Sequence, residues 1–371
     1  MHEATAGSIE PVISSFDLTA AWQSRPRDTR YKVEFIGVAG EYFRIWIVNL
    51  ALTIVTLGIY SAWAKVRTKR YFYANTRLAG SSFEYLAQPM QILKGRLIAY
   101  SLVIALWASL RFQLLGVYFS LLALVMLLMP WVIYRALAFR ARYTAWRGLR
   151  FRFTGSAGDA YSSYLFRPMV LPFTLYLVYP WVRMKQHDYM VSGHRFGGKR
   201  FQFTENTEGY FGPFFVTFGL GVVGYIISVM MFVAIMPHHS PGEPRPVLPP
   251  ANFYAIMALV YGGIIVLKTF LGTRYHNVMW AHTKLGPHRF ECSLSARAMI
   301  WLYLSNAIAI VCTLGMAVPW AMVRLARYRA EKFTVVAADG LDNFVAESAQ
   351  AESAAGAEIL GALDMDFDIG L

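Results

Sequence analysis

The chain has 371 residues, of which 56% are hydrophobic and 16% aromatic while only 15% are charged. That balance excludes an ordinary soluble domain and points to a mainly α-helical, polytopic membrane protein. The formal net charge of +13 would suggest nucleic acid in a soluble protein; here Lys and Arg sit in loops beside apolar runs, so nucleic acid is excluded as a partner and the charge reads as membrane orientation.

In chain order, residues 1–30 are a polar arm without the basic start and apolar core of a cleavable signal, so the first apolar run is expected to act as targeting signal. Residues 31–95 hold an alternating stretch at 31–35, an apolar run at 45–63, a basic helix and a turn at Gly80. Residues 96–135 contain two runs, 97–113 and 114–134, each long enough for a crossing. Residues 136–209 repeat the first plan: alternating stretches at 149–153 and 200–204, an apolar run at 165–181, a basic helix, and the pair Gly197-Gly198. Residues 210–272 supply two more crossings, 211–236 and 253–271, joined by an outward proline-rich loop at 237–250. Its His238 and His239 lack an acidic or cysteine partner and make a poor metal site. Residues 273–345 return to the first plan with a run at 299–320. The tail 346–371, rich in Ala, Glu and Asp without Lys or Arg, reads as a disordered cytoplasmic extension.

Three of these segments share an aromatic signature. Each apolar run ends in a tryptophan, with a basic residue at plus four and a tyrosine at plus eight: Trp63, Arg67 and Tyr71; Trp181, Lys185 and Tyr189; Trp320, Arg324 and Tyr328. Agreement at several offsets predicts three pseudo-repeats packed about a common centre. The alternating aromatic stretches read as short strands, and because lone hairpins are marginal they are expected to pair into a cytoplasmic β-layer.

Charge sets the topology. Seven crossings would put the basic segments after the first and third runs outside, against the positive-inside rule. If the three repeated runs instead enter the membrane and return, four runs cross, every basic segment is cytoplasmic and both termini are cytoplasmic. The breakers for such reversals are present as Thr56-Leu57-Gly58, as Pro168, Pro172 and Pro180, and as Thr313-Leu314-Gly315 with Pro319. A straight helix over 45–63 would be roughly 28 Å long and nearly span, which leaves seven crossings as the alternative.

The residues Glu41-Tyr42-Phe43-Arg44-Ile45-Trp46, Asn49-Leu50, Thr56-Leu57-Gly58-Ile59-Tyr60-Ser61-Ala62-Trp63-Ala64-Lys65-Val66-Arg67 and Arg70-Tyr71-Phe72-Tyr73-Ala74-Asn75-Thr76 resemble the YjgN-like family of bacterial inner-membrane proteins. The likeness is strong over 35–100 and extends to Tyr328. It implies a multi-pass protein of the bacterial inner membrane. That family has no established activity and no assigned functional residues to carry over. Its members are often encoded beside a membrane-associated zinc metallopeptidase, which implies such a peptidase as a partner.

Fourteen residues before each signature tryptophan stand Asn49, Arg167 and Asn306. A polar group inside an apolar run is costly, so the three are candidates for one polar centre binding an anionic or hydrogen-bonding group. The alternative is that the asparagines serve packing and Arg167 snorkels. The signature Trp and Tyr residues read as membrane-interface anchors, and the basic residues as orientation signals and contacts to anionic lipid headgroups. Lys268 and Lys94 read as snorkelling residues, and His187-Asp188 as a solvated face. Cys292 and Cys312 make no disulfide framework. No metallopeptidase, Walker or nucleophile-elbow motif occurs, so neither an enzyme nor a cofactor is expected. The leading expectation is a carrier or channel for a small polar or anionic solute or a lipid; the alternative is a non-transporting adaptor or regulator of a membrane metallopeptidase or envelope assembly.

Overall fold

The computed structural model describes residues 28–235, 251–338 and 340–350. Most of the polar arm, the outward loop with His238 and His239, and the acidic tail beyond residue 350 lie outside the described residues.

Ten helices pair in sequence, and strands join the pairs. Strand β1 (Thr29–Phe35) leads into α1 (Ala39–Val55) and α2 (Ser61–Ala74), followed by β2 (Thr76–Leu78) and β3 (Ser81–Tyr85). The long helices α3 (Pro89–Arg111) and α4 (Leu115–Arg142) then precede β4 (Thr144–Trp146) and β5 (Leu149–Phe153). A broken stretch comes next: α5 (Ala157–Tyr161), a π-turn at Ser162–Phe166 and 3-10 turns at Pro168–Val170 and Pro172–Thr174. It leads to α6 (Tyr179–Ser192), β6 (His194–Phe196) and β7 (Lys199–Phe203). The long α7 (Thr207–Ile235) and α8 (Ala251–Ala281) are followed by β8 (Thr283–Leu285) and β9 (His288–Cys292), then α9 (Ala296–Cys312), α10 (Val318–Glu331) and β10 (Phe333–Ala337). A last helical segment covers 341–350.

The strands close into an antiparallel barrel in which β1 pairs with both β10 and β2, and every other strand pairs with its sequence neighbours. In place of the expected β-layer the strands form a closed barrel: closure leaves no unpaired edge, and strands of only three to seven residues hold better when both sides are paired. Two hairpins turn on a pair of left-handed residues, Ala79-Gly80 and Arg147-Gly148, the backbone that matches strand twist. The register brings five facing pairs to one layer inside: Val33 with Leu78, Phe83 with Trp146, Phe151 with Phe196, Phe201 with Leu285, and Phe290 with Val335. All ten belong to one hydrophobic cluster. Eight strands make a lumen just filled by side chains, so a ten-stranded barrel needs the larger Phe and Trp to leave no void.

Helices pack neighbour on neighbour around the ring, and α10 closes it against α1. Since each pair leaves the barrel and returns to it, every strand lies at the same end of the helices. Among the described residues four helices are long and apolar enough to cross a membrane, α3, α4, α7 and α8. The run 45–63 is not one helix: α1 ends at Val55 and α2 starts at Ser61, which removes the straight span that seven crossings require. At 17 residues, α1 and α9 reach about 25 Å, short of a hydrocarbon core of about 30 Å.

Candidate functional site

Asn49 and Asn306 are buried, as their position in apolar runs implied. Each is held inside its own helix pair by the arginine eighteen residues on. Arg67 Nη1 donates to Asn49 Oδ1 at 3.4 Å and to the Tyr60 hydroxyl at 3.2 Å; Arg324 Nη1 donates to Asn306 Oδ1 at 3.1 Å and to Ser305 Oγ at 2.7 Å. Arg167 donates to Ser163 Oγ at 3.2 Å and lies 5.8 Å from the centroid of the Trp181 ring, and Lys185 pairs with Glu205. Among the described residues no hydrogen bond joins Asn49, Arg167 and Asn306, which act as three local clamps.

The signature tyrosines have a shared task. Tyr71 accepts from the Val38 N–H at 2.9 Å and donates to its carbonyl at 2.8 Å; Tyr189 donates to the Ser156 carbonyl at 2.9 Å; the Ser295 N–H donates to Tyr328 at 3.0 Å. Val38, Ser156 and Ser295 are the N-caps of α1, α5 and α9. Each tyrosine thus ties the end of one helix to the start of its partner, 33 residues upstream. Of the signature tryptophans, Trp320 is 43% exposed, and Trp63 and Trp181 are half-buried.

His187 departs from its expected solvated position. It is buried, and its Nδ1 lies 2.6 Å from the Tyr210 hydroxyl. Arg183 Nη2 sits 3.1 Å from Nε2; a guanidinium can only donate, so Nε2 accepts and Nδ1 carries the proton. Burial, with Arg183 beside it and His276 adding, holds its pKa down at about 3.

Among the cavities on the helix side of the barrel, two bear on the site. One, of about 440 Å³, sits at the barrel mouth, where Tyr73, Phe83, Phe151 and Trp280 supply aromatic walls and Arg140, Thr76, Thr144 and His194 the polar groups. His194 Nδ1 donates to the Met190 carbonyl at 2.6 Å, and burial keeps its pKa below the usual imidazole range, with Arg140 adding to that against the carbonyl. Nearby, Lys69 stands 5.0 Å from the Tyr85 ring centroid; burial, then Arg140 and Lys65, hold its pKa below the usual range.

The second cavity, of about 680 Å³, opens between α8, α9 and α10. Lys268, His276 and Arg329 line it together with Thr269, Thr273 and Tyr303, and Ile265, Met299 and Ala307 make its apolar side; no carboxylate lines it. Arg329 donates to the Tyr303 hydroxyl at 2.9 Å. The His276 and Trp280 rings are in edge contact, 6.3 Å between centroids, one turn apart on α8. His276 lines the second cavity and Trp280 the first.

Sequence reasoning had Lys268 as a snorkelling residue, counted Arg329 and Arg140 among the basic residues that set orientation, and passed over His276 and Tyr303. The available signal was the spacing of Lys268, Gly272 and His276 at one helical period inside an apolar run, which gives α8 a single polar stripe.

A relative called "Inner membrane protein YjgN" from Salmonella typhimurium is 25% identical over 344 residues, covering 81% of this chain and 87% of that protein. Proteins of the same name from Escherichia coli O157:H7 and K12 are 26% and 27% identical, and there the match covers 76% of this chain and 57% of the relative. No solved structure matches. The family model described as "Bacterial protein of unknown function (DUF898)" matches residues 30–362, so the chain belongs to that family.

Proposed function

We propose that the protein is an inner-membrane carrier for an anionic amphiphile, a lipid or a lipid-like acid, which enters between α8 and α9 and descends toward the barrel mouth. The observation that carries this reading is the cavity lined by Lys268, His276 and Arg329 together with Ile265, Met299 and Ala307, with no carboxylate in its lining. An anionic headgroup at Lys268 and Arg329 gains charge-assisted hydrogen bonds, while an acyl chain gains by covering Ile265 and Met299. Exposure of the long helices supports lateral entry, since at most 6% of the most apolar window of each is buried within the chain.

In this reading the barrel is cytoplasmic, because Arg140 and Arg142 in the last turn of α4 and Arg329 in the last turn of α10 lie next to strands. Both ends of the described chain follow it, since β1 and β10 are barrel strands. The three short pairs dip into the bilayer and return. Their tips support this: Leu57, Leu175 and Leu314, each six residues before a signature tryptophan, are left-handed and 94%, 77% and 95% exposed. Leucine at the apex of a turn is costly in water and favourable in hydrocarbon.

The test is lipid retention and movement. Native mass spectrometry of the protein released from membranes should show a bound anionic phospholipid, and Lys268→Ala with Arg329→Ala should weaken its retention by about tenfold or more, given roughly 1.5–3 kcal/mol per charged hydrogen bond. Proteoliposomes should move a fluorescent anionic lipid faster than empty vesicles. Retention indifferent to headgroup charge, and equal in the double variant, sinks the reading.

A further inference from the structure

The barrel wall is uneven in its charge. On the β9, β10, β1 and β2 side, basic residues meet acids: Arg30 pairs with Glu291, Arg289 with Asp28, and Arg77 faces Glu34 across the β1–β2 register. On β5, β6 and β7 the outward positions are Arg150, Arg152, Arg195 and Arg200, all exposed. Arg152 faces Arg195, and Arg195 faces Arg200. Like charges directly opposed across strands destabilise a sheet, and among the described residues no carboxylate pairs with Arg150, Arg195 or Arg200. Among the described residues Arg150, Arg195 and Arg200 are thus three exposed basic groups of one sector with no carboxylate partner.

The chain itself leads an acidic segment to that sector. The helical segment 341–350 caps the barrel end away from the helices: Phe344 stacks on Phe196 and meets the His288 ring edge-on, with centroids 6.0 and 4.5 Å apart. It is fixed there by acid on base, Asp342 to Arg147 and Glu347 to Lys199 at 3.0 Å. Ser348 lies against Gly197, so closely that a side chain at 197 would sit 2.3 Å from its Cβ. The described chain therefore leaves the barrel at the β6–β7 turn, two residues from Arg195 and three from Arg200. Residues 351–371 then bring Glu352, Glu358, Asp364, Asp366 and Asp368 with no Lys or Arg. The sector is two strand spacings wide, about 10 Å, well within reach of a chain that spans up to about 3.3 Å per residue.

We propose that the acidic segment 351–371 docks in cis on the arginine sector of β5–β7, continuing along the wall the acid-on-base contacts that begin at Asp342 and Glu347. Docked, it neutralises Arg195 and Arg200, which face each other, and covers the surface that an acidic partner would otherwise take.

The test is a disulfide trap in the full chain carrying Cys292→Ser and Cys312→Ser, with Met365→Cys paired either with Gln202→Cys, exposed on β7, or with Lys32→Cys, exposed on β1 at the opposite side of the barrel. Mild oxidation at low salt should give an intramolecular bond at position 202 and several-fold less at position 32. The bond should fall several-fold at about 1 M salt, where the screening length is about 3 Å, and equally with Arg195→Ser and Arg200→Ser. Should that pair disturb the barrel, Asp364→Asn, Asp366→Asn and Asp368→Asn supply the same readout from outside it. Equal trapping at 202 and 32, trapping only between two chains or onto another membrane protein, or a yield indifferent to these charges overturns the proposal. Lipid retention does not enter, so this result stands apart from the carrier reading.

Discussion

Tyr71, Tyr189 and Tyr328 show how a side chain can be visible in a sequence while its task is not. Their spacing after Trp63, Trp181 and Trp320 is plain, yet each hydroxyl bonds a backbone group 33 residues upstream, and backbone partners leave no mark in residue identity. A hydrogen bond of this kind contributes about 1 kcal/mol. Tyr328→Phe should therefore lower the thermal midpoint modestly and loosen the start of α9, and Tyr71→Phe should cost more because the Val38 N–H loses its partner and the Val38 carbonyl, which also accepts from the Tyr42 N–H, loses one of two; scanning fluorimetry of the two variants checks the order. His187 makes a pH prediction. With its folded pKa at about 3 and an unfolded value near 6.5, the unfolded chain binds the extra proton first, so stability is full above about pH 6.5 and is lost as pH falls toward 3. At pH 5 the loss is about 2 kcal/mol. His187→Gln, which cannot titrate, should flatten the fall in midpoint between pH 7 and 5; an unchanged slope would place its origin elsewhere.

The tight turns of the short pairs reuse one backbone design. Leu57-Gly58 and Leu314-Gly315 have φ values of +49 and +91, and +50 and +92. Gly58 N–H donates to the Thr53 carbonyl at 2.8 Å and Gly315 N–H to that of Ile310 at 2.7 Å, each closing a Schellman-type helix end. Thr56 and Thr313 complete it by bonding back to their helices and accepting from the next one. The Thr-Leu-Gly motif was legible as a breaker for that reason. Nothing stands within 4 Å of where a Cβ would be at Gly315, so Gly315→Ala meets only backbone strain of about 1–2 kcal/mol. It should lower stability by that amount without disturbing the barrel. In a background without Cys292 and Cys312, a polarity-sensitive dye on Leu314→Cys should emit as in hydrocarbon and be quenched by spin-labelled lipid; emission as in water would remove the bilayer from this element. The strands were legible only in part. β5 lies where alternation placed it, but β2, β4, β6 and β8 have three residues each, too few to show a period of two.

At the scale of the molecule, barrel closure was beyond the sequence because the pairing that makes it, Thr29 with Ala337 and Lys32 with Thr334, joins residues about 300 apart, and no local pattern encodes so distant a neighbour. Closure decides what kind of passage the protein can offer. Ten inward side chains occupy the middle of the barrel, and the segment 341–350 seals its far end through Phe344, only 5% exposed. A lumen filled by aromatic rings at core density has no room for a hydrated ion, so movement along the barrel axis is blocked at two levels, and the two cavities end above the first of them. In the carrier reading the solute therefore reaches Arg140 sideways, past α8, and not along the axis. Proteoliposomes should accordingly show no ion conductance in planar recording. Phe344→Ala should destabilise by about 3–5 kcal/mol through the cavity it leaves and bind a hydrophobic dye at the uncapped end. It should still not conduct, because the layer of Phe83, Trp146, Phe151 and their partners remains. Current through the unaltered protein would mean that this layer opens, and the carrier would have to be reconsidered as a gated channel with the ring of aromatics as its gate.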